Sequence, residues 1–260
     1  MSFYGKNFLY NGISSEVYGL ICASIDSSGS ETSPAGSDVT IIEEYLNRRE
    51  TPYFYGVSFP QKLEFPVGFF SEEAIPRERV SEIEKWLFGL SSYKEFKIIQ
   101  EDLIDVHYNC IFTESSLVCI GNEVFGFQAT AICDAPWAWG DTKVFRKTNA
   151  TGAIYLKNQS DNTRYTKPSI KLTFTSNQAT VSIVNTSDTG SSAMVFEDVT
   201  SGEVIEIDCD LRIVSSSEEG IVERFNGKYM YLLPDMNTIT ITGTIGTLEI
   251  TYSPARKVGA

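Results

Sequence analysis

Apolar and polar positions alternate with a period of two along most of this chain, the signature of strands with one face buried. Residues 3–10 and 16–25 flank Asn11-Gly12, a dipeptide suited to a tight hairpin turn, and both are expected to be strands. Residues 53–70, "YFYGVSFPQKLEFPVGFF", are aromatic and interrupted by Pro60 and Pro66, which predicts edge strands or bends. From Lys97 to Cys133 the strand period returns. There Phe125, Phe127, Ala129, Ala131 and Cys133 share one face, and Gln128 and Thr130 the other. One stretch changes period. In "PRERVSEIEKWLFG", Val80, Ile83 and Leu87 recur at helical spacing beside Trp86, with Pro76 at the start and Gly89 at the end. Glu78, Glu82 and Glu84 then face water, so an amphipathic helix packed on a sheet is expected.

Residues 165–252 carry no helical pattern. Their short alternating runs are "SIKLTF", "ATVSIV", "AMVF", "EVIEID", "DLRIV", "KYMYLL", "TITITG" and "TLEITY", with turn residues between them. That rhythm predicts an antiparallel sandwich or jelly roll. The fold class is therefore mainly β: a β-rich N-terminal sandwich or barrel-like domain with one α-helix over residues 1–138, and an antiparallel β-sandwich over 139–260. They meet at "DAPWAWG". Pro136 removes a backbone donor and ends strand pairing. Trp137 and Trp139, with Pro136, are the candidate packing residues of a seam between the domains, since each ring can bury ~150–250 Å².

Composition narrows the function. The chain has 260 residues and a net charge of −13, which disfavours a duplex-binding role because nucleic-acid affinity comes from Lys and Arg. No apolar run approaches the ~18 residues of a membrane span, so no membrane partner is expected. "MSFYGKNFLYNGISSEVYGL" has one basic residue and no long apolar region, so it does not read as a secretion signal. Sequons at Asn149, Asn158 and Asn185 are then chance occurrences. Five cysteines without a Cys-x-x-Cys read as small buried residues, and His107, the only histidine, rules out a multi-histidine metal site. No cofactor is expected.

Two strings could carry chemistry. "SDTGSS" contains the Asp-Thr-Gly of aspartic proteases, but that reaction needs two carboxylates sharing a proton, and no second such string exists. Asp188 and Gly190 are better read as turn formers. Asp208 and Asp210 flank Cys209 and would share the face of a regular strand, where a solvated face is a better reading than a glycosidase pair. Trp137 and Trp139 could instead stack on sugar rings, which makes a carbohydrate-binding module acting through the C-terminal sandwich the alternative function.

Several stretches, in order along the chain, resemble distal tail proteins of long-tailed bacteriophages. They are "FYGKNFLYNGISSEVYGL", "RRETPYFYGVSFPQKLEFPVGF", "ERVSEIEKWLFG", "CDAPWAWG", "DNTRYTKPSIKLTF" and "LPDMNTITITG". The resemblance implies a ring-forming first domain and a galectin-like second domain. It implies a structural, non-enzymatic virion component assembled in the host cytoplasm: a homohexameric ring at the tail tip. That ring joins the tail tube protein to the tail hub protein and anchors receptor-binding proteins, and DNA passes through it unbound. An arm from the first domain is expected to reach a neighbouring copy. Residues 26–52 are the candidate arm, and Tyr53, Phe54, Tyr55 and Phe59 the candidate contact residues. The Ser/Gly-rich run at 26–38 has little to bury, so its order is expected to depend on assembly. The second domain has no large insertion, so the sugar-binding modules of some relatives are expected to be missing.

Overall fold

A computed structural model describes residues 5–24, 40–46, 50–58, 62–161 and 165–257. The chain divides into two compact units. One runs to Trp139 and takes the chain back from Arg256; the other is Gly140–Ala255.

The first unit contains β1 (Phe8–Tyr10), β2 (Ile13–Ser14), β3 (Ile21–Ser24), β4 (Thr40–Glu44), β5 (Tyr53–Ser58) and β6 (Glu64–Phe70). After these come α1 (Arg77–Phe88), β7 (Lys94–Ile98), β8 (Val106–Ile120), β9 (Glu123–Cys133) and the short β10 (Ala138–Gly140) at the boundary. The main sheet runs β2-β1-β7-β8-β9-β6-β3. Lys6, just before β1, exchanges both backbone hydrogen bonds with Cys22 of β3 at 3.1 and 2.8 Å. The far edge of the sheet is thereby tied to its start, and the sheet curls on itself.

The Asn11-Gly12 turn forms as the sequence predicts, with φ of 51° and 75°. The strand expected to begin at residue 16 does not. Ser15–Tyr18 is a 3-10 turn, closed at Gly19, whose φ of 65° few other residues adopt. Strand structure resumes only at Ile21. The helix is found at Arg77–Phe88, flanked by Pro76 and Gly89 as expected. It buries Ile83, Trp86 and Leu87, and Val80 packs against the same core. Trp86 stacks on Phe8 at 5.7 Å and on Tyr18 at 4.7 Å, and its indole N–H donates to the Tyr10 carbonyl at 3.1 Å. Inside the curl, Phe8, Phe69, Phe96 and Phe112 meet ring to ring, and Phe127, Ala129, Ala131 and Cys133 face inward from β9. Each fully buried large side chain contributes about 1.5–3 kcal/mol over exposure.

The second unit contains β11 (Lys143–Asn158), β12 (Ser169–Thr173), β13 (Gln178–Asn185), β14 (Met194–Val199), β15 (Val204–Asp208) and β16 (Ile213–Ser216). A single helical turn, α2 (Ile221–Arg224), then precedes β17 (Asp235–Tyr252), and β18 (Ala255–Arg256) lies at the boundary. β11 and β17 pair from Lys143–Tyr252 to Asn158–Asp235. On the other edge of β17, Ile239–Thr242 pairs with β13, and Thr247–Thr251 pairs with β12. β13 carries β14 outward, and β12 carries β15 and β16. One long strand therefore belongs to two wings, and Phe196 and Val181 of one share a core with Leu172 and Ile205 of the other.

The sequence reading differs here in three places. "TITITG" and "TLEITY" are one strand, because Gly243, at φ 94°, lets the backbone bend without ending. "KYMYLL" is not a strand, although Met230 and Leu232 are buried. Three buried asparagines satisfy the surrounding backbone instead. Asn185 donates to the Tyr231 carbonyl at 2.8 Å and to Asn237 Oδ1 at 2.7 Å, Asn158 donates to the Leu233 carbonyl at 3.0 Å, and Leu233 N donates to Asn237 Oδ1 at 2.8 Å. The short helical turn at 221–224 forms where no helical pattern was expected.

Candidate assembly interface

β4 and β5 form a two-stranded sheet of their own. Ile41 faces Val57 and Glu43 faces Phe54 on one side of it; Ile42 faces Gly56 and Glu44 faces Tyr53 on the other. The register slips between Ile42 and Glu43, leaving Tyr55 as the extra residue of a bulge, and Gly56 there takes φ 137°. The Tyr55 hydroxyl donates to Glu44 Oε2 across the pair at 3.0 Å. Beyond β4, Tyr45 bonds Glu43, and that carboxylate raises the phenol pKa.

Every residue of β4 is exposed, and Phe54 and Tyr55 are 66% and 64% exposed. Among the described residues, eight of the 22 exposed large hydrophobic side chains lie on this hairpin or just beyond β4: Ile41, Ile42, Tyr45, Leu46, Tyr53, Phe54, Tyr55 and Val57. An isolated two-stranded hairpin is at best marginally stable in water, and apolar side chains on both faces cannot be buried by folding back one way. Its pairing alone leaves these apolar side chains exposed.

Of the sequence-predicted contact residues, Tyr53, Phe54 and Tyr55 come together on β5. Phe59 lies outside the described residues, as do 26–39 and 47–49 of the candidate arm. Ile41 and Ile42 lie within the candidate arm but are not among the predicted contact residues, because they follow a Ser/Gly-rich run. Their signal was the β-branched pair in "VTIIEEYL", complementary to "YFYGV".

At the candidate seam, Trp137 and Trp139 meet edge to face with centroids 5.9 Å apart, and both are partly buried. The Trp139 indole N–H donates to Asp134 Oδ1 at 3.0 Å, and Asn109 donates to Asp134 Oδ2 at 3.1 Å. Trp137 Nε1 is buried without a hydrogen-bond partner. The two carboxylate strings are turns. Asp188 Oδ1 accepts from Gly190 N at 3.0 Å, and Asp208 Oδ1 accepts from the backbone of Asp210 and Leu211, both at 2.9 Å. Asp208 ends β15, so the regular strand face expected for the Asp208–Asp210 pair does not form; Asp210 turns to Lys167 at 2.8 Å. No cluster of three or more metal-ligating side chains occurs among the described residues.

Residues 3–135 match the family model of the phage tail protein N-terminal domain, and residues 137–252 match that of the phage tail C-terminal domain. Among curated proteins, none matches the chain. Among solved structures, the chain is similar to SPP1 Dit (gp 19.1), described as a paradigm of the hub adsorption apparatus in phages infecting Gram-positive hosts. The TM-score is 0.69 at 13% identity, over 96% of this chain and 98% of that one. It is also similar to a chain of the phage P2 baseplate in its activated conformation with Ca, with TM-score 0.51 at 9% identity over 98% and 99%. At such identities the likeness is one of fold.

Proposed function

This chain belongs to a phage tail protein family, and from that premise we propose that it is a distal tail protein, a non-enzymatic subunit of a hexameric ring at the tail tip. The observation that carries the proposal is the β4–β5 hairpin, whose two exposed apolar faces suit the flank of a neighbouring copy. In this reading, residues 1–138 build the ring and the galectin-like sandwich of 139–260 projects from it. Tyr53, Phe54 and Tyr55 contact the neighbour. Pro136, Trp137 and Trp139 pack the seam between domains. The ring joins tail tube to tail hub, anchors receptor-binding proteins for host adhesion, and forms in the host cytoplasm. A net charge of −13 per copy suits a channel that DNA crosses without being held. The saccharide reading has less support, because Trp137 and Trp139 are partly buried and pack edge to face against each other.

The test is assembly. The chain co-expressed with its tail partners is expected to give ring particles by electron microscopy and native mass measurement. Phe54→Asp with Tyr55→Asp is expected to leave folded protomers that do not close, since charge in an apolar contact is costly. Unchanged rings from that variant would sink the arm reading. A wild-type monomer that binds host saccharide through residues 140–260 would favour the alternative.

A further inference from the structure

Cys110 of β8 and Cys133 of β9 are direct cross-strand partners. Both are free thiols, both are fully buried, and both belong to the inner core of the first unit. The hydrogen-bond pattern defines what kind of pair they are. Asp134 N donates to the Asn109 carbonyl at 2.9 Å, which makes 109–134 a hydrogen-bonded rung. The adjacent rung, 110–133, is then the narrow kind, whose backbone groups point to the outer neighbours. Cys133 N accordingly donates to the Leu63 carbonyl at 2.9 Å, and Cys110 lies opposite Lys94 of β7. Narrow antiparallel rungs hold Cα atoms ~4.5 Å apart with side chains on the same face. Disulfides span Cα distances of ~4.4–6.8 Å, so this rung sits at the short end of the permitted range.

We propose that Cys110 and Cys133 form a reversible cross-strand disulfide when the protein meets an oxidising environment. The oxidant is a small-molecule disulfide. One cysteine thiolate attacks it, forming a mixed disulfide and expelling one small thiol. The second thiolate attacks the protein sulfur of that mixed disulfide and expels the other. Two protein thiols are oxidised to one bond, the small disulfide is reduced to two thiols, and the two protons go to the departing thiolates. The bond is kept open by the thiol pool of a reducing cytoplasm and forms outside it. It would pin the root of the β8–β9 hairpin where the chain leaves the sheet. Burial raises the Cys133 thiol to about 12 and the Cys110 thiol well above its ordinary value, so oxidation is slow and follows transient opening of the rung.

The experiment treats the native full-length chain with oxidised glutathione, quenches with N-ethylmaleimide, denatures and maps peptides by mass spectrometry. The expected result is a linked peptide pair containing Cys110 and Cys133, lost on dithiothreitol. The oxidised form should melt several degrees higher than the reduced one. Cys133→Ala should abolish both the link and the shift. Because that variant could itself be destabilised, Cys119→Ser serves as a second control: the exposed cysteine is removed and the link must persist. The proposal fails if Cys110 and Cys133 both remain free for alkylation after denaturation, under conditions where Cys119 has reacted completely. It also fails if the only linked species are intermolecular.

Discussion

At the residue scale, the most exacting site in the molecule is Glu203. Its side chain is 0% exposed, and a buried carboxylate is tolerated only when fully partnered. Arg224 Nη2 meets Glu203 Oε1 at 2.7 Å, Ser216 donates to the same oxygen at 2.6 Å, and Thr200 N donates to Oε2 at 3.0 Å. Burial pushes this carboxyl pKa up. The hydrogen bonds from Arg224, Ser216 and Thr200 outweigh it, and the net shift is downward. A depressed carboxyl pKa stabilises the fold above the unfolded-state value of ~4.3, and that stability is lost as pH falls through the folded value. Arg224→Ala is therefore expected to cost the C-terminal unit about 3–5 kcal/mol at neutral pH by stranding the charge. The deficit should shrink as the pH is lowered. Denaturant unfolding at several pH values measures both; a pH-independent loss would mean that Arg224 acts through packing alone. None of this was legible in the sequence, where Glu203 sits beside a Ser-Gly turn and Arg224 in a stretch with no assigned element. Their partnership spans 21 residues and exists only once β15 and the 221–224 turn are in place.

At the element scale, what could be read was what local pattern dictates. The helix at Arg77–Phe88 was legible because its period, its proline and its glycine agree, and the β9 inner face because alternation specifies it. β17 was not, because a glycine inside an alternating run looks the same whether it ends a strand or bends one. Here it bends. At φ 94°, a Cβ on Gly243 would also lie 2.7 Å from Gln178 Oε1 and 3.1 Å from Val181 Cγ2. Gly243→Val is expected to destabilise the C-terminal sandwich by about 1–3 kcal/mol, visible as a lower denaturation midpoint. An unchanged midpoint would show that the bend is not glycine-dependent. The β4–β5 hairpin was half legible. Its aromatic strand announced itself, while its partner strand was hidden behind a polar run.

For the whole molecule, charge and exposed apolar surface point the same way. A net charge of −13 makes copies repel one another and repels duplex DNA, while the exposed apolar hairpin is the surface proposed above for a neighbour. No retardation of duplex DNA is expected in a gel-shift assay near 0.15 M salt. Salt-sensitive retardation would reveal a basic surface that the net charge conceals. The family resemblance was legible because its short motifs keep their order. The side-chain networks were not, because each joins residues far apart in the chain.

The return of the chain to the first unit at Arg256 has a consequence of its own. Gly140 N donates to the Pro254 carbonyl at 2.7 Å, so the two ends of the second unit are stapled side by side. A segment whose entry and exit coincide behaves as an exchangeable cassette. Its removal leaves a gap that a short turn could close, and another module with neighbouring termini could be grafted in its place.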